Sequence, residues 1–285
     1  MTATLTPSSP AGIVTGIHPS AVIHPSALVD TTATIGENTT IGAFSVVGPR
    51  CTIGTNCEIS PHVVLDRDVT IGNGTKIYPT AVLGCDPQDI AYQGETSRVV
   101  IGDGCWIREG VTVHRASGEG NETRVGDRCM LMANCHVAHN TVLGNDVILA
   151  NAALLAGYVT VGDNAFISAA TIVHQFVAIG RLSMLAGASG TRQDIPPFAM
   201  TDGRPVSIQG INKVALRRKG FTQEQRHNLQ RAYDLLWFSH LQMQEALAQV
   251  EAEYGHDPNV QELLAFVRSS KRGIRRHEAA TAAEY

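Results

Sequence analysis

The sequence has few aromatic residues, no long apolar run and no excess of positive charge. Aromatic residues make up 5% of the 285 positions, whereas Gly occurs 27 times. This composition suits tight turns and thin aliphatic layers better than a bulky aromatic core. No stretch of about 18 apolar residues is present, so we expect no membrane-spanning helix. The net charge of −4 gives no indication of nucleic-acid binding.

The N-terminus also lacks the basic start and the apolar stretch of a secretory signal peptide. We therefore expect residues 1–16 to be a flexible tail and the protein to be cytoplasmic. In that compartment its six cysteines would be reduced. No CxxC spacing occurs, which argues against the common zinc ribbons, and we predict neither a metal nor a cofactor.

One position in six is aliphatic over most of the chain. Of the 29 positions reached by steps of six from Ile17 to Leu185, 26 are Ile, Leu or Val. The residue two before is small, and the residue after is often Gly, which predicts a short strand followed by a sharp turn. Three such hexads would close a triangular coil of 18 residues, and stacked coils would pair their strands in parallel, about 4.8 Å apart. The repeat therefore predicts a parallel β-helix over residues 17–194. Five cysteines occupy the small inward position as core filler: Cys51, Cys57, Cys105, Cys129 and Cys135.

Two polar segments interrupt the repeat, from Cys85 to Arg98 and from Ala116 to Glu122. Loops of this kind on a regular scaffold usually carry function. After residue 194 the pattern changes, and helical spacing with a capping signal at Thr222 predicts a small α-helical domain over 195–285. Seven Lys or Arg and one acid lie between residues 204 and 231, which suits phosphates or an acidic protein partner.

Three segments place polar residues beside the aliphatic column, and their column residues are 18 positions apart. His139, Gly157 and Gln175 share one offset and are predicted to stack in a line, with His174 beside it. An imidazole titrates near neutrality and suits a general base. A glycine N–H can approach a reacting carbonyl and stabilise an oxyanion.

By the same counting, His114 falls on a different face from His139. We therefore expect a neighbouring subunit to bring His114 to the site. A second hypothesis is a zinc hydratase with His114, His136 and His139 as ligands. A third is a β-helix scaffold without catalysis.

The sequence resembles the UDP-N-acetylglucosamine O-acyltransferases, a family of hexapeptide-repeat acyltransferases. The resemblance covers about residues 17 to 221 and is carried by several segments: QDIAYQGETSRVVIG (88–102), VTVHR (111–115), HVAHN (136–140), ILANAALLAG (148–157), VHQF (173–176), QDIPPF (193–198) and GINKVALRRKGF (210–221). It implies a left-handed coil and a homotrimer of parallel prisms. It also implies that a hydroxyacyl chain moves from acyl carrier protein to the 3-position of UDP-N-acetylglucosamine, the first step of lipid A biosynthesis.

The same resemblance assigns roles to single residues. His139 matches the catalytic base and Gly157 the oxyanion donor, while Gly187 falls where the family gauges acyl length. The remaining matches are substrate contacts: Asp89, His114, His174, Gln175, Asn212, Arg218 and Lys219, the last in place of an arginine. Four positions depart from the family pattern: Ala91, Asn140, Tyr158 and Val214. These departures leave open an acceptor with a 3-amino group, which would give an N-acylated product.

Overall fold

The computed structural model describes residues 16–276. The predicted tail, residues 1–16, lies outside the described residues except for Gly16, and so do residues 277–285 of the predicted helical domain. Within the described range the chain forms short strands followed by four helices. The strands are β1 Val22–Ile23, β2 Leu28–Val29, β3 Thr34–Ile35, β4 Thr40–Ile41, β5 Val46–Val47, β6 Thr52–Ile53, β7 Glu58–Ile59, β8 Val64–Leu65, β9 Val69–Ile71, β10 Lys76–Ile77, β11 Val82–Cys85, β12 Arg98–Ile101, β13 Trp106–Ile107, β14 Thr112–His114, β15 Glu122–Val125, β16 Met130–Leu131, β17 His136–Val137, β18 Val142–Leu143, β19 Ile148–Leu149, β20 Leu154–Leu155, β21 Thr160–Val161, β22 Phe166–Ile167, β23 Ile172–Val173, β24 Ala178–Ile179, β25 Met184–Leu185, β26 Gly190–Thr191, β27 Ala199–Asp202 and β28 Ser207–Ile211.

The strands are shared among three sheets that form the walls of a prism. Every third strand pairs with its equivalent in the next coil, in parallel, up to β26, and β25 pairs in parallel with β27. The first sheet runs from β1 to β25 and continues into β27 and β28, the second runs from β2 to β26, and the third from β3 to β24. The aliphatic residue of each hexad is buried from Ile35 onward, so the column predicted from the repeat forms the core.

Two different positions shape each corner of the prism. The glycine after the column residue is needed for close packing, since a Cβ on Gly36 would lie 2.6 Å from the carbonyl carbon of Gly54 in the next coil. The sharp turn itself lies two residues further on, at residues such as Asn38 with φ of 55°. Asn, Asp and Gly tolerate this left-handed conformation best. The predicted sharp turn is therefore present, and the glycine serves the packing between coils while the residue two positions later adopts the left-handed conformation.

The two predicted loops leave the prism between β11 and β12 and between β14 and β15. Each loop lengthens its coil. The column on this sheet runs from Leu83 to Val113 and then to Val137, over 30 and 24 residues instead of 18. The loops are joined to each other by hydrogen bonds, including one from the Gly118 N–H to the Glu95 carboxylate at 2.8 Å.

A hairpin of β27 and β28 closes the last coil and leads into the helices. The helices are α1 Lys213–Arg218, α2 Gln223–Trp237, α3 Met243–Tyr254 and α4 Pro258–Ser269. Thr222 and Gln225 form the predicted capping box of α2. The helices pack on the prism through contacts such as Arg181 Nε to the Glu262 carboxylate, 2.6 Å.

All six cysteines are free, and five of them are buried in the prism. Burial raises the pKa of the Cys51 and Cys135 thiols to about 11, which keeps them in the unreactive thiol form at neutral pH. Across residues 16–276, none of the helices has the length and apolar character that a membrane crossing requires.

Candidate active site

His139 and Gly157 lie directly against each other at the corner between the second and third sheets. The register pairs Val137 with Leu155, which places the two corners in adjacent coils. A Cβ on Gly157 would lie 2.5 Å from both Nε2 and Cε1 of His139, so only glycine leaves room for the imidazole. Within the described residues the Gly157 N–H donates no hydrogen bond, although its carbonyl accepts one from Phe176 at 3.0 Å. A basic nitrogen and a free backbone donor therefore face the same space.

Asn140 fixes which nitrogen of His139 carries the proton. Its Oδ1 lies 2.9 Å from Nδ1 of His139 and also accepts the Ser117 N–H at 2.9 Å. Its Nδ2 donates to the Ser117 carbonyl at 3.0 Å, so both ends of the amide are assigned by the main chain. Because Oδ1 can only accept, Nδ1 of His139 must donate. Nε2 is then left with its lone pair, as a general base requires.

Asp89 contributes a carboxylate near Nδ1 of His139, on the same side of the imidazole as Asn140. Its Oδ2 lies 3.9 Å from Nδ1 of His139 and accepts the Ser117 hydroxyl at 2.8 Å. The Ala91 N–H, the Ser117 hydroxyl and the charge of His139 hold the pKa of Asp89 below its usual range. The carboxylate is therefore ionised at neutral pH, and its negative charge would favour a protonated imidazole at His139.

His114 lies on the same sheet as His139, and the expectation that it occupies a different face was wrong. Strand β14 pairs with β17, and the rings of His114 and His136 are 4.9 Å apart in an edge-to-face arrangement. The reason is the second loop. It adds six residues between Val113 and Val137, and because six is one hexad, the repeat stays in step while the face changes. His114 therefore needs no neighbouring subunit to approach the site.

The two histidines beside His139, buried His114 and partly buried His136, are held neutral. Desolvation, then the charges of His114 and His139, lower the pKa of His136 to about 4. Desolvation followed by the charge of His139 lowers the pKa of His114. Thr112 Oγ1 lies 2.7 Å from Nδ1 of His136. Neither imidazole adds a positive charge to the site at neutral pH.

A cleft of about 290 Å³ opens beside the His139 and Gly157 pair. The residues that line it are Gln88, His136, Ala138, His139, Leu154, Leu155, Ala156, Gly157, Ile172, Val173 and Gln175. Gln175 thus lies where the repeat predicts it, one coil beyond Gly157. The mixture of aliphatic walls and a few polar groups suits an acyl chain attached to a polar reacting end.

Four predicted substrate contacts lie away from this cleft within the single chain. Gly187 lies at the corner between the first and second sheets, where Cβ would meet nothing closer than 3.5 Å. Asn212 caps α1, accepting the Ala215 N–H and donating to the Leu182 carbonyl at 3.0 Å. Arg218 is exposed on that helix. Arg128, and to a lesser extent Lys219, lower the pKa of Asp146, so Lys219 lies near the corner between the third and first sheets.

His174 lies beside the line of His139, Gly157 and Gln175 and does not line the cleft. Its Nδ1 is 3.3 Å from Arg272 of the C-terminal segment. Sequence reasoning missed Ser117, because a serine in a polar loop has no distinguishing pattern. Over the residues that the structure describes, no group of three or more His, Cys, Asp or Glu side chains is placed to hold a metal ion, so the zinc hypothesis lacks a ligand set.

Comparison with known proteins agrees with this geometry. The family model for six-repeat bacterial hexapeptide transferases matches residues 32–67 and 122–157, and the model for UDP-N-acetylglucosamine O-acyltransferase, domain 2, matches residues 194–275. An acyl-[acyl-carrier-protein]--UDP-N-acetylglucosamine O-acyltransferase of a Synechocystis species is 44% identical over 208 residues, 73% of this chain and 75% of that protein. Its counterpart from Halorhodospira halophila is 43% identical over 207 residues, 72% of this chain and 80% of that protein.

Solved structures give the same result. LpxA of Bacteroides fragilis, a UDP-N-acetylglucosamine acyltransferase, superposes with a TM-score of 0.84 and 39% identity, over 91% of this chain and 99% of that chain. LpxA of Acinetobacter baumannii superposes with a TM-score of 0.81 and 34% identity, over 91% of this chain and 99% of that one. The fold and these matches define a left-handed β-helix acyltransferase of the hexapeptide-repeat class. Within that class, the chain belongs to the UDP-N-acetylglucosamine O-acyltransferase family.

Proposed function

We propose that this protein transfers a (3-hydroxy)fatty acyl chain from acyl carrier protein to the 3-position of UDP-N-acetylglucosamine, the first step of lipid A biosynthesis. The observation that carries the proposal is the close approach of the His139 imidazole to Gly157. A Cβ built on Gly157 would lie only 2.5 Å from Nε2 of His139. A base and an unpaired N–H in adjacent coils can act on one acyl transfer.

In the proposed reaction, Nε2 of His139 takes the proton of the sugar 3-hydroxyl as its oxygen attacks the thioester carbonyl. The Gly157 N–H donates to the oxyanion of the tetrahedral intermediate, a contact of the kind that contributes about 3 kcal/mol. The carbon–sulfur bond then breaks, and His139 returns the proton to the departing thiol. Asp89 stabilises the intervening imidazolium, 3.9 Å from Nδ1. No covalent intermediate with the protein is required.

The remaining predicted contacts support a homotrimer. Gly187, Asn212, Arg218 and Lys219 lie at corners of the prism other than the one that carries His139. Parallel prisms around a threefold axis would bring these corners of one subunit to the cleft of the next. In that assembly Arg218 and Lys219 would bind the nucleotide end and Gly187 would border the acyl chain. Gln175 would contact substrate in the cleft, and His174 and His114 would contact it from positions next to the cleft. A cytoplasmic location follows from the donor, since acyl carrier protein is a cytoplasmic partner.

The direct test incubates the purified protein with hydroxyacyl carrier protein and UDP-N-acetylglucosamine, and identifies the product by mass spectrometry. We expect a 3-O-acyl product from the wild type and a rate lower by about 10²- to 10⁴-fold from His139→Ala. His24→Ala, which changes an exposed histidine near the N-terminus, is the control. A parallel reaction with the 3-amino sugar decides between O- and N-acylation. The proposal would be contradicted if neither acceptor gave a product, or if His139→Ala turned over at the normal rate.

A further inference from the structure

An open recess of about 730 Å³ adjoins the cleft on the second sheet. We name it the arginine recess after its polar lining, which comprises His174, Thr191, Arg192, Gln193, Arg204 and Arg275. It shares Ala156, Ile172 and Val173 with the cleft of His139, so the two spaces are continuous. Thr191 follows Val173 in the column, three coils or about 14 Å from Val137.

Within residues 16–276, the positive charges in this recess are not neutralised by salt bridges. Arg192, Arg204 and Arg275 are exposed, and none of them pairs with a carboxylate in that range. Other arginines on the prism are paired across adjacent coils, as Arg50 is with Asp68 at 2.6 Å. Guanidinium groups that lie together without such pairing repel one another, and an anion would remove that repulsion.

The chain holds these arginines in place from three separate segments. Arg204 lies across the strand at Gly190, where a Cβ would be 3.0 Å from its Nε. The C-terminal segment is anchored by Asp194, whose carboxylate accepts from the Ser270 hydroxyl at 2.7 Å and whose N–H donates to the Gly273 carbonyl at 2.8 Å. This anchor brings Arg275 to the recess.

Arg272 connects that segment to the rim of the recess. Its Nε donates to the Arg192 carbonyl at 3.2 Å, and its Nη2 lies 3.3 Å from Nδ1 of His174. The recess is therefore built by hydrogen bonds between distant parts of the sequence and is not a collection of independent surface side chains.

We propose that the arginine recess binds a phosphate ester of a substrate whose reacting group lies at His139. This inference rests on the proposed function, because both substrates named there carry phosphate. The nucleotide sugar has a diphosphate, and the acyl donor has the phosphodiester of its pantetheine arm. A guanidinium group can bind a phosphate through two parallel N–H···O hydrogen bonds. Arg192 and Arg204, which both line the recess, are suited to this contact. A substrate that runs along the shared wall of Ala156 and Val173 joins the two sites.

Calorimetry on the full chain with three probes tests the recess without turnover: UDP, 4′-phosphopantetheine, and pantetheine, which lacks the phosphate. We expect wild type to bind one phosphate probe with an affinity that falls as salt rises. Arg192→Ala and Arg204→Ala should each raise its Kd by roughly tenfold or more. Arg50→Ala removes an equal charge far from the recess and should leave the Kd unchanged. Unchanged Kd values for both phosphate probes in both variants, or no binding by wild type, would overturn the proposal.

Steady-state kinetics identify the source of the phosphate. A raised KM for the acyl donor in Arg204→Ala assigns the recess to the pantetheine arm, and a raised KM for the nucleotide sugar assigns it to the diphosphate. If wild type transfers no acyl chain, the proposed function fails, but the calorimetric result for the recess stands by itself. The two failures are therefore distinguishable.

Discussion

A Cβ added to Gly157 would lie 2.5 Å from Nε2 of His139, closer than real Cβ contacts permit. The two residues are 18 positions apart, one coil of the prism, so their proximity follows from the repeat. The φ of Gly157 lies outside the left-handed region, and the requirement for glycine comes from the space that the imidazole occupies. The base and the amide are therefore positioned by the same stacking that forms the core.

Gly157→Ala should lower kcat by about 10²- to 10³-fold, because the methyl group displaces His139 and obstructs the amide. The melting temperature should change little, since the site lies at a corner outside the aliphatic column. Gly187→Ala is the control for melting temperature alone, because its Cβ meets nothing closer than 3.5 Å, while Gly187 is itself proposed to border the acyl chain. Wild-type kcat in Gly157→Ala would show that His139 and the amide do not act together.

Asn140 allows the protonation of His139 to be tested by pH. Asn140→Asp keeps the shape of the side chain but places a negative charge about 2.9 Å from Nδ1. A nearby negative charge favours the protonated imidazole, so the acidic limb of the kcat/KM profile should move up by roughly one pH unit.

Asn140→Gly removes the side chain without adding a charge, so it separates the effect of the lost hydrogen bond from the effect of the added charge. Glycine tolerates the φ of 60° at this position, so the backbone is not strained by the substitution. Without the Asn140 acceptor, the proton of His139 is no longer held on Nδ1. We therefore expect kcat to fall roughly tenfold or more with little change in KM. An unshifted profile in Asn140→Asp together with normal kcat in Asn140→Gly would remove Asn140 from the mechanism.

The sequence predicted the prism and the alignment of His139, Gly157 and Gln175 because the hexad is a local rule, repeated in every coil. It misplaced His114 because the rule only counts residues. Six extra residues in a loop look the same in this count as one further hexad in a wall of the prism. Only strand pairing, which is a long-range contact, separates the two cases.

The helical region was predicted unevenly for a similar reason. The capping signal at Thr222 correctly marked the start of α2, and Gly255 lies at the end of α3. Helix α1, Lys213–Arg218, has only six residues and is too short for periodicity to reveal. The β27 and β28 hairpin completes the first sheet, and its place depends on the last coil and not on its own sequence. The bond between Asn140 and Ser117 joins a corner to a loop, which no spacing predicts.

His136 predicts a loss of stability in acid. Burial lowers its folded-state pKa from 6.5 to about 4, so between these values the unfolded chain binds a proton that the native chain excludes. Stability is therefore complete above pH 6.5 and falls as the pH decreases towards 4, by at most about 3 kcal/mol from this group. His136→Gln, which keeps a polar group able to hydrogen-bond Thr112, should reduce the difference in unfolding free energy between about pH 7 and about pH 5. His24→Gln is the control, and an equal pH dependence in both variants would contradict the assignment to His136.

Asp194 predicts a link between the stability of the C-terminal segment and the arginine recess. Its buried carboxylate accepts from the Ala178 N–H at 2.8 Å, the Ser270 hydroxyl at 2.7 Å and the Arg272 N–H at 3.3 Å. Asp194→Ala leaves these donors without an acceptor, which should lower the unfolding free energy by about 1–3 kcal/mol in urea titrations. Trypsin should also cleave the released segment after Arg272 several times faster than in wild type, because its anchor to the prism is lost. Asp202→Ala, at the exposed end of β27, should change neither measurement. Equal cleavage rates in Asp194→Ala and wild type would mean that Arg272 is held to the recess without Asp194.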